Sequence, residues 1–145
     1  MPDTASTAAS RPTVSDRDAA SLLSAAITEA STMGVPVTVV VVDESGVLKA
    51  MIRQDGAPLV SIETATSKAY AAAAIGIPPD DFYSAIESDG AAVASFATRS
   101  GLALIAGGIS ILVGGRVAGA VGVAGAMTGA EDRRIAEAAA NHIAG

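Results

Sequence analysis

The period of the apolar positions changes several times along the chain. Between residues 15 and 33, Leu22, Leu23, Ala26, Ile27 and Ala30 recur at the spacing of one helical face, and Gly34 followed by Pro36 ends the pattern. Residues 37–42 read VTVVVV, bounded by turn residues, which predicts a central strand buried on both faces. Asp43, Glu44, Ser45 and Gly46 then supply a tight turn. Residues 47–54 return as the partner strand of a hairpin that stops at Asp55-Gly56. The alanine-rich run 59–76 predicts a second helix, closed by Gly76 with Pro78 and Pro79. Residues 80–100 read as one or two short helices, reset at Ser88-Asp89. Three further strands are expected at 102–106, 109–114 and 116–125, joined at the glycine pairs 107–108 and 114–115. The last segment starts with Thr128 and Glu131 at capping-box spacing and carries an apolar stripe of Ile135, Ala138, Ala139 and Ile143.

Helix, two strands, helices, three strands and helix, with short joins between strands, predict an α+β fold. Its sheet would be five-stranded and mainly antiparallel, with helices packed on it. Residues 15–145 form a single domain in this scheme, with 1–14 as a small, polar, disordered tail. That tail lacks the apolar core of a secretory signal, so the cytoplasm is the expected compartment.

Residues 114–132, GGRVAGAVGVAGAMTGAED, hold few side chains larger than valine. A membrane helix through 102–127 would place Arg116 near the bilayer centre at a cost of about 2.5 kcal/mol or more, and the glycine pairs split the run into strand lengths. A phosphate loop needs a lysine after its glycines, or the G-x-G-x-x-G spacing between strand and helix, and neither is present. As a strand, the segment puts Val117, Gly119, Val121, Val123 and Gly125 on one face and Ala118, Ala120, Gly122 and Ala124 on the other. Faces so bare admit close approach by a helix, another subunit or a flat ligand, with tight packing favoured over direct ligand contact.

Composition narrows the function. Aromatic residues make up only 3% of the chain and tryptophan is absent, so the core is expected to be valine, isoleucine, leucine and alanine. A net charge of -6 argues against nucleic acid as partner, and a small-molecule ligand fits better. No cysteine is present, which excludes disulfides, thiolate metal sites and a cysteine nucleophile. No metal-ligand cluster is evident either.

Two blocks of sequence carry a family resemblance. The first is VVVVDESGVLKAMIRQDGAPLVSIETATSKAYAAA, with its V-D-x-x-G hairpin, its turn at Asp55-Gly56-Ala57 and its S-K-A-Y helix. The second is IAGGISILVGGRVAGAVGVAGAMTGAEDRRIAEAA. Together they resemble the GlcG/HbpS family, which includes the C-terminal domain of PduO-type proteins and is described as heme-binding or heme-degrading. The resemblance implies an α/β sandwich of the profilin or roadblock kind, homo-oligomers, and heme or a related tetrapyrrole as ligand. It further implies a histidine or a threonine as axial ligand, and no residue here matches either role.

The candidate residues follow from both sources. Lys68, mid-helix beside the apolar face, is placed to bind a carboxylate or to act as a base, with Asp43 assisting it, or equally to snorkel to the surface. Asp43 also suits a structural role, bonding the backbone of its own turn. Arg53, Lys68, Tyr70, Gly107 and Gly108 are the candidate cofactor contacts, the two cations neutralising ligand carboxylates. Arg53 and Asp55 can also simply pair with each other. His142, the only histidine, is the one strong neutral ligand for a heme iron, but it lies at a fraying helix end, where the favoured role is a cation that suits the dipole. Tyr70, Tyr83 and Met51 are weaker axial possibilities, Met51 being assigned to the core. Three readings follow: a tetrapyrrole-binding protein, a small cofactor-independent enzyme acting on an anionic metabolite through Lys68, and an accessory oligomer without chemistry.

Overall fold

The computed structural model describes residues 10–144. Helix α1, Asp16–Met33, starts where Ser15 Oγ accepts the amide of Asp18 at 3.0 Å, and ends at Gly34, whose φ of 72° lets its N–H return to Ala30 O and Ser31 O. Then come strands β1, Thr38–Asp43, and β2, Leu48–Arg53, helices α2, Ser61–Ile75, α3, Pro79–Ile86, and α4, Gly90–Ala97, strands β3, Gly108–Val113, and β4, Arg116–Ala124, and helix α5, Gly129–Ala144. The sheet is antiparallel throughout, in the order β2-β1-β4-β3.

The valine run of β1 is split by the pleat between two cores. Val39 and Val41 point with Val121 and Val123 toward Leu22 and Ala26 of α1 and Ile135 and Ala139 of α5. Val40 and Val42 point the other way, with Ala120 and Ala124, onto Ala65, Ala69 and Ala72 of α2. The bare face of β4 therefore serves close helix packing. A Cβ added at Gly122 would run into Ala65 O and lie 2.6 Å from Ala69 N. A bulge modifies the expected alternation. Ile111 pairs with Gly119 and Leu112 with Val117, so Ala118 is the extra residue and joins the α1–α5 core while Val117 packs on the α2 side.

Among the described residues the sheet has four strands rather than five, because residues 102–106 form no strand. The glycine pair expected to reverse the chain is already part of the ladder. Gly108 pairs with Gly122, and Gly107 O accepts the amide of Val123 at 2.8 Å, so the pair makes no hairpin reversal. Gly114-Gly115, with φ of 58° and 77°, does make the tight hairpin between β3 and β4. Strand β2 is an edge, and Met51 is 38% exposed on it, not in the core.

Of the expected tail, residues 1–9 lie outside the described residues. Val14 is buried, and its amide donates to Ala118 O at 2.9 Å. Among the described residues no helix is long and apolar enough to cross a membrane.

Candidate functional site

Close packing of α2 on β4 brings Lys68 under the end of the sheet. Its Nζ donates to Val123 O at 3.0 Å and to Asp132 Oδ2 at 2.9 Å. Asp132 lies in the first turn of α5, where a carboxylate suits the helix dipole, and its Oδ1 accepts the amide of Ala126 at 3.0 Å. The two side chains are only 3% and 7% exposed, so Lys68 is buried rather than bordering the core. Gly107 and Gly108 make room for it. A Cβ on Gly107 would lie 2.8 Å from Lys68 Nζ, and one on Gly108 would run into the Lys68 carbonyl. Beside the pair opens a cavity of about 490 Å³, lined by Ser61, Thr64, Met127 and Thr128 as well as Lys68 and Asp132.

A second cavity, of about 410 Å³, lies where α3 and α4 stand away from the core. Tyr70, Ala74 and Ile75 of α2 form one wall; Phe82, Phe96, Arg99 and Leu102 form the others. The two phenylalanine rings meet edge to face at 5.0 Å, and the Arg99 guanidinium sits 4.4 Å from the centre of Phe96. An adjoining cavity of about 200 Å³ shares Phe96 and Leu102 and adds Tyr83 and Ile105. The apolar residues expected as a strand at 102–106 thus line a cavity instead. Helix α3 is tied to α5 by Arg133, which donates to Asp80 at 2.8 Å and Asp81 at 2.7 Å while also holding Glu137. Asp81, Glu137 and Asp80 together raise its pKa above the ordinary arginine value, so the tie stays charged.

The chain has two phenylalanines, two tyrosines and no tryptophan, and all four rings line these two adjoining cavities. The core beneath the sheet contains none of them.

The family described as haem degrading protein, HbpS-like, matches residues 14–141. This chain belongs to that HbpS-like family. A double variant of HbpS from Streptomyces reticuli has the same fold, with TM-score 0.85 and 28% identity over 98% of this chain and 99% of that one. A second HbpS structure gives TM-score 0.90 at 26% identity, covering 99% of each chain. A PduOC structure in complex with heme gives TM-score 0.78 at 26% identity, over 89% of this chain and 94% of the other. No sequence among the curated proteins matches it.

Set against the residues singled out from sequence, this HbpS-like fold brings Lys68, Gly107 and Gly108 together and disperses the rest. Asp43 does not share a site with Lys68. It pairs with Gly119 while Lys68 meets Val123, four residues along β4, or about 13 Å at strand spacing. Its Oδ1 accepts the amides of Ser45 at 2.9 Å and Val47 at 3.0 Å, the structural role open to it. Arg53 lines a separate cavity with Pro36 and Asp55 and donates to Ala57 O at 3.3 Å. Tyr70 lies in the aromatic cavity, its ring under the hairpin turn at Gly46. His142 is exposed in the last turn of α5 and lines none of these cavities. Sequence reasoning missed Phe82, Phe96, Arg99 and Asp132. Among the described residues no group of three or more His, Asp or Glu side chains stands together as metal ligands.

Proposed function

We propose that the protein binds heme or a related tetrapyrrole, and that the cavity walled by Tyr70, Phe82 and Phe96 receives the macrocycle. The observation that carries this reading is the gathering of all four aromatic rings along two adjoining cavities in a chain whose core uses none. Rings offer a flat ligand large contact area at little entropic cost. With its neighbour, the cavity falls in the range of small-molecule sites, about 300–1,000 Å³. Residues of the wall would hold a heme in three ways: Phe82, Phe96 and Leu102 would supply apolar contact, the Arg99 guanidinium would pair with a carboxylate, and the Tyr70 phenol would supply an oxygen ligand. The HbpS-like family and the PduOC:heme relative support the same ligand class. Exposed apolar residues along β2 and before α2, Leu48, Ile52, Leu59 and Val60, support self-association into homo-oligomers.

Hemin titration tests the reading. A saturable Soret band is expected with the wild-type chain. Phe96→Ala combined with Arg99→Ala is expected to weaken binding at least about tenfold, a loss of roughly 1.4 kcal/mol from the ring contact and the charged hydrogen bond. Absence of saturation would remove heme as ligand; unchanged affinity in the double variant would remove this cavity as its site.

A further inference from the structure

We infer that residues 77–101, helices α3 and α4 together, form a hinged lid over the aromatic cavity, latched by Arg133 of α5. The inference rests on the reading of that cavity as a ligand site. Tyr70, Ala74 and Ile75 on α2 form its fixed wall, whereas Phe82, Phe96 and Arg99 belong to the segment itself. Moving the segment parts the two walls and opens the way in.

Little ties this segment down. Between Ile77 and Gly101 only Pro79 is buried, so few apolar contacts resist its displacement. Among the described residues, every hydrogen bond made by residues 77–102 stays within the segment, except those of Asp80 and Asp81 to Arg133. These two contacts, at 2.8 and 2.7 Å, hold α3 to α5. The Arg133 side chain is 29% exposed and that of Asp81 52%, so water weakens the latch enough for it to open. Both ends of the segment turn at glycine. Gly76, with φ of 89°, ends α2, and Gly101, with φ of 77°, has no atom within 4 Å of an added Cβ. Such positions absorb the backbone rotation of a hinge. Inside the segment, the edge-to-face contact of Phe82 with Phe96 couples α3 to α4, so the two helices move as one body.

Native-state hydrogen exchange of the ¹⁵N-labelled full chain, without ligand, tests the lid by itself. Helical amides of α3 and α4 are expected to share one opening constant, at least about tenfold larger than that of α2. Arg133→Gln is expected to raise that constant at least about fivefold while α1 and α2 stay unchanged. Asp80→Asn with Asp81→Asn, which breaks the latch from the lid side, is expected to do the same. Glu137→Gln, which removes only the pair within α5, is expected to change it by no more than about twofold. Stopped-flow hemin binding then tests the entrance. The association rate of Arg133→Gln is expected to rise by the same factor as its opening constant, since only the open population admits ligand. Opening of α3 and α4 only with global unfolding, separate constants for the two helices, or an Arg133→Gln variant that opens no more readily overturns the lid. Faster opening without faster association overturns its role as the entrance. Hemin titration that fails to saturate removes the tetrapyrrole reading alone, and the exchange pattern still decides the lid.

Discussion

Gly122→Ala adds a single methyl group at the centre of β4. The new Cβ would run into the carbonyl of Ala65 and lie 2.6 Å from the amide of Ala69 and 2.9 Å from the Ala69 Cβ. Two of these neighbours are backbone atoms of a helix, so no side chain can rotate out of the way. Either α2 lifts from the sheet or β4 buckles. Overpacking a well-filled core costs about 1–3 kcal/mol, and a clash with helix backbone belongs at the upper end. For a chain of this size about 3 kcal/mol corresponds to a fall in Tm of roughly 10 °C. Gly90→Ala is the matched control. It adds the same methyl group at the start of α4, where nothing lies within 4 Å, and is expected to be neutral or stabilising by up to about 1 kcal/mol. Thermal and urea unfolding followed by circular dichroism measure both variants. A wild-type midpoint for Gly122→Ala would refute the view that the bare strand exists to admit α2.

Removing Lys68 alone leaves Asp132 charged and buried, so Lys68→Ala is expected to lose about 3–5 kcal/mol in urea unfolding. The paired change Lys68→Met with Asp132→Leu is expected to recover most of that loss; equal instability of both would mean the pair is not the origin of the effect. His142→Ala is expected to leave the hemin Soret titration unchanged, since His142 is exposed and lines none of the cavities. Loss of the band in that variant would relocate the ligand to the end of α5.

Local signals carried much of the fold. Ser15 and Gly34 bound α1, Asp89 resets the chain between α3 and α4 by accepting the Ala92 amide, and Thr128 caps α5. Each is a contact within four residues and is therefore written in adjacent letters. What was illegible depends on distant partners. Lys68 looks alike on a helix whether it snorkels or meets a carboxylate 64 positions later. The apolar run 102–106 has strand composition, and only the commitment of Gly107 and Gly108 to the β3–β4 ladder denies it a turn. The bulge at Ala118 likewise depends on the partner strand. One signal for the aromatic cavity was present. All four rings fall between positions 70 and 96, outside every valine-rich strand, which is an uneven placement for a chain so poor in them.

Ferric hemin is paramagnetic and broadens the resonances nearest its iron, so its position can be read from amide spectra against a diamagnetic zinc porphyrin control. Binding in the aromatic cavity requires broadening centred on Tyr70, Ala74, Phe82, Phe96 and Leu102. Broadening centred instead on Arg53 and Asp55, or spread evenly over the surface, would contradict it.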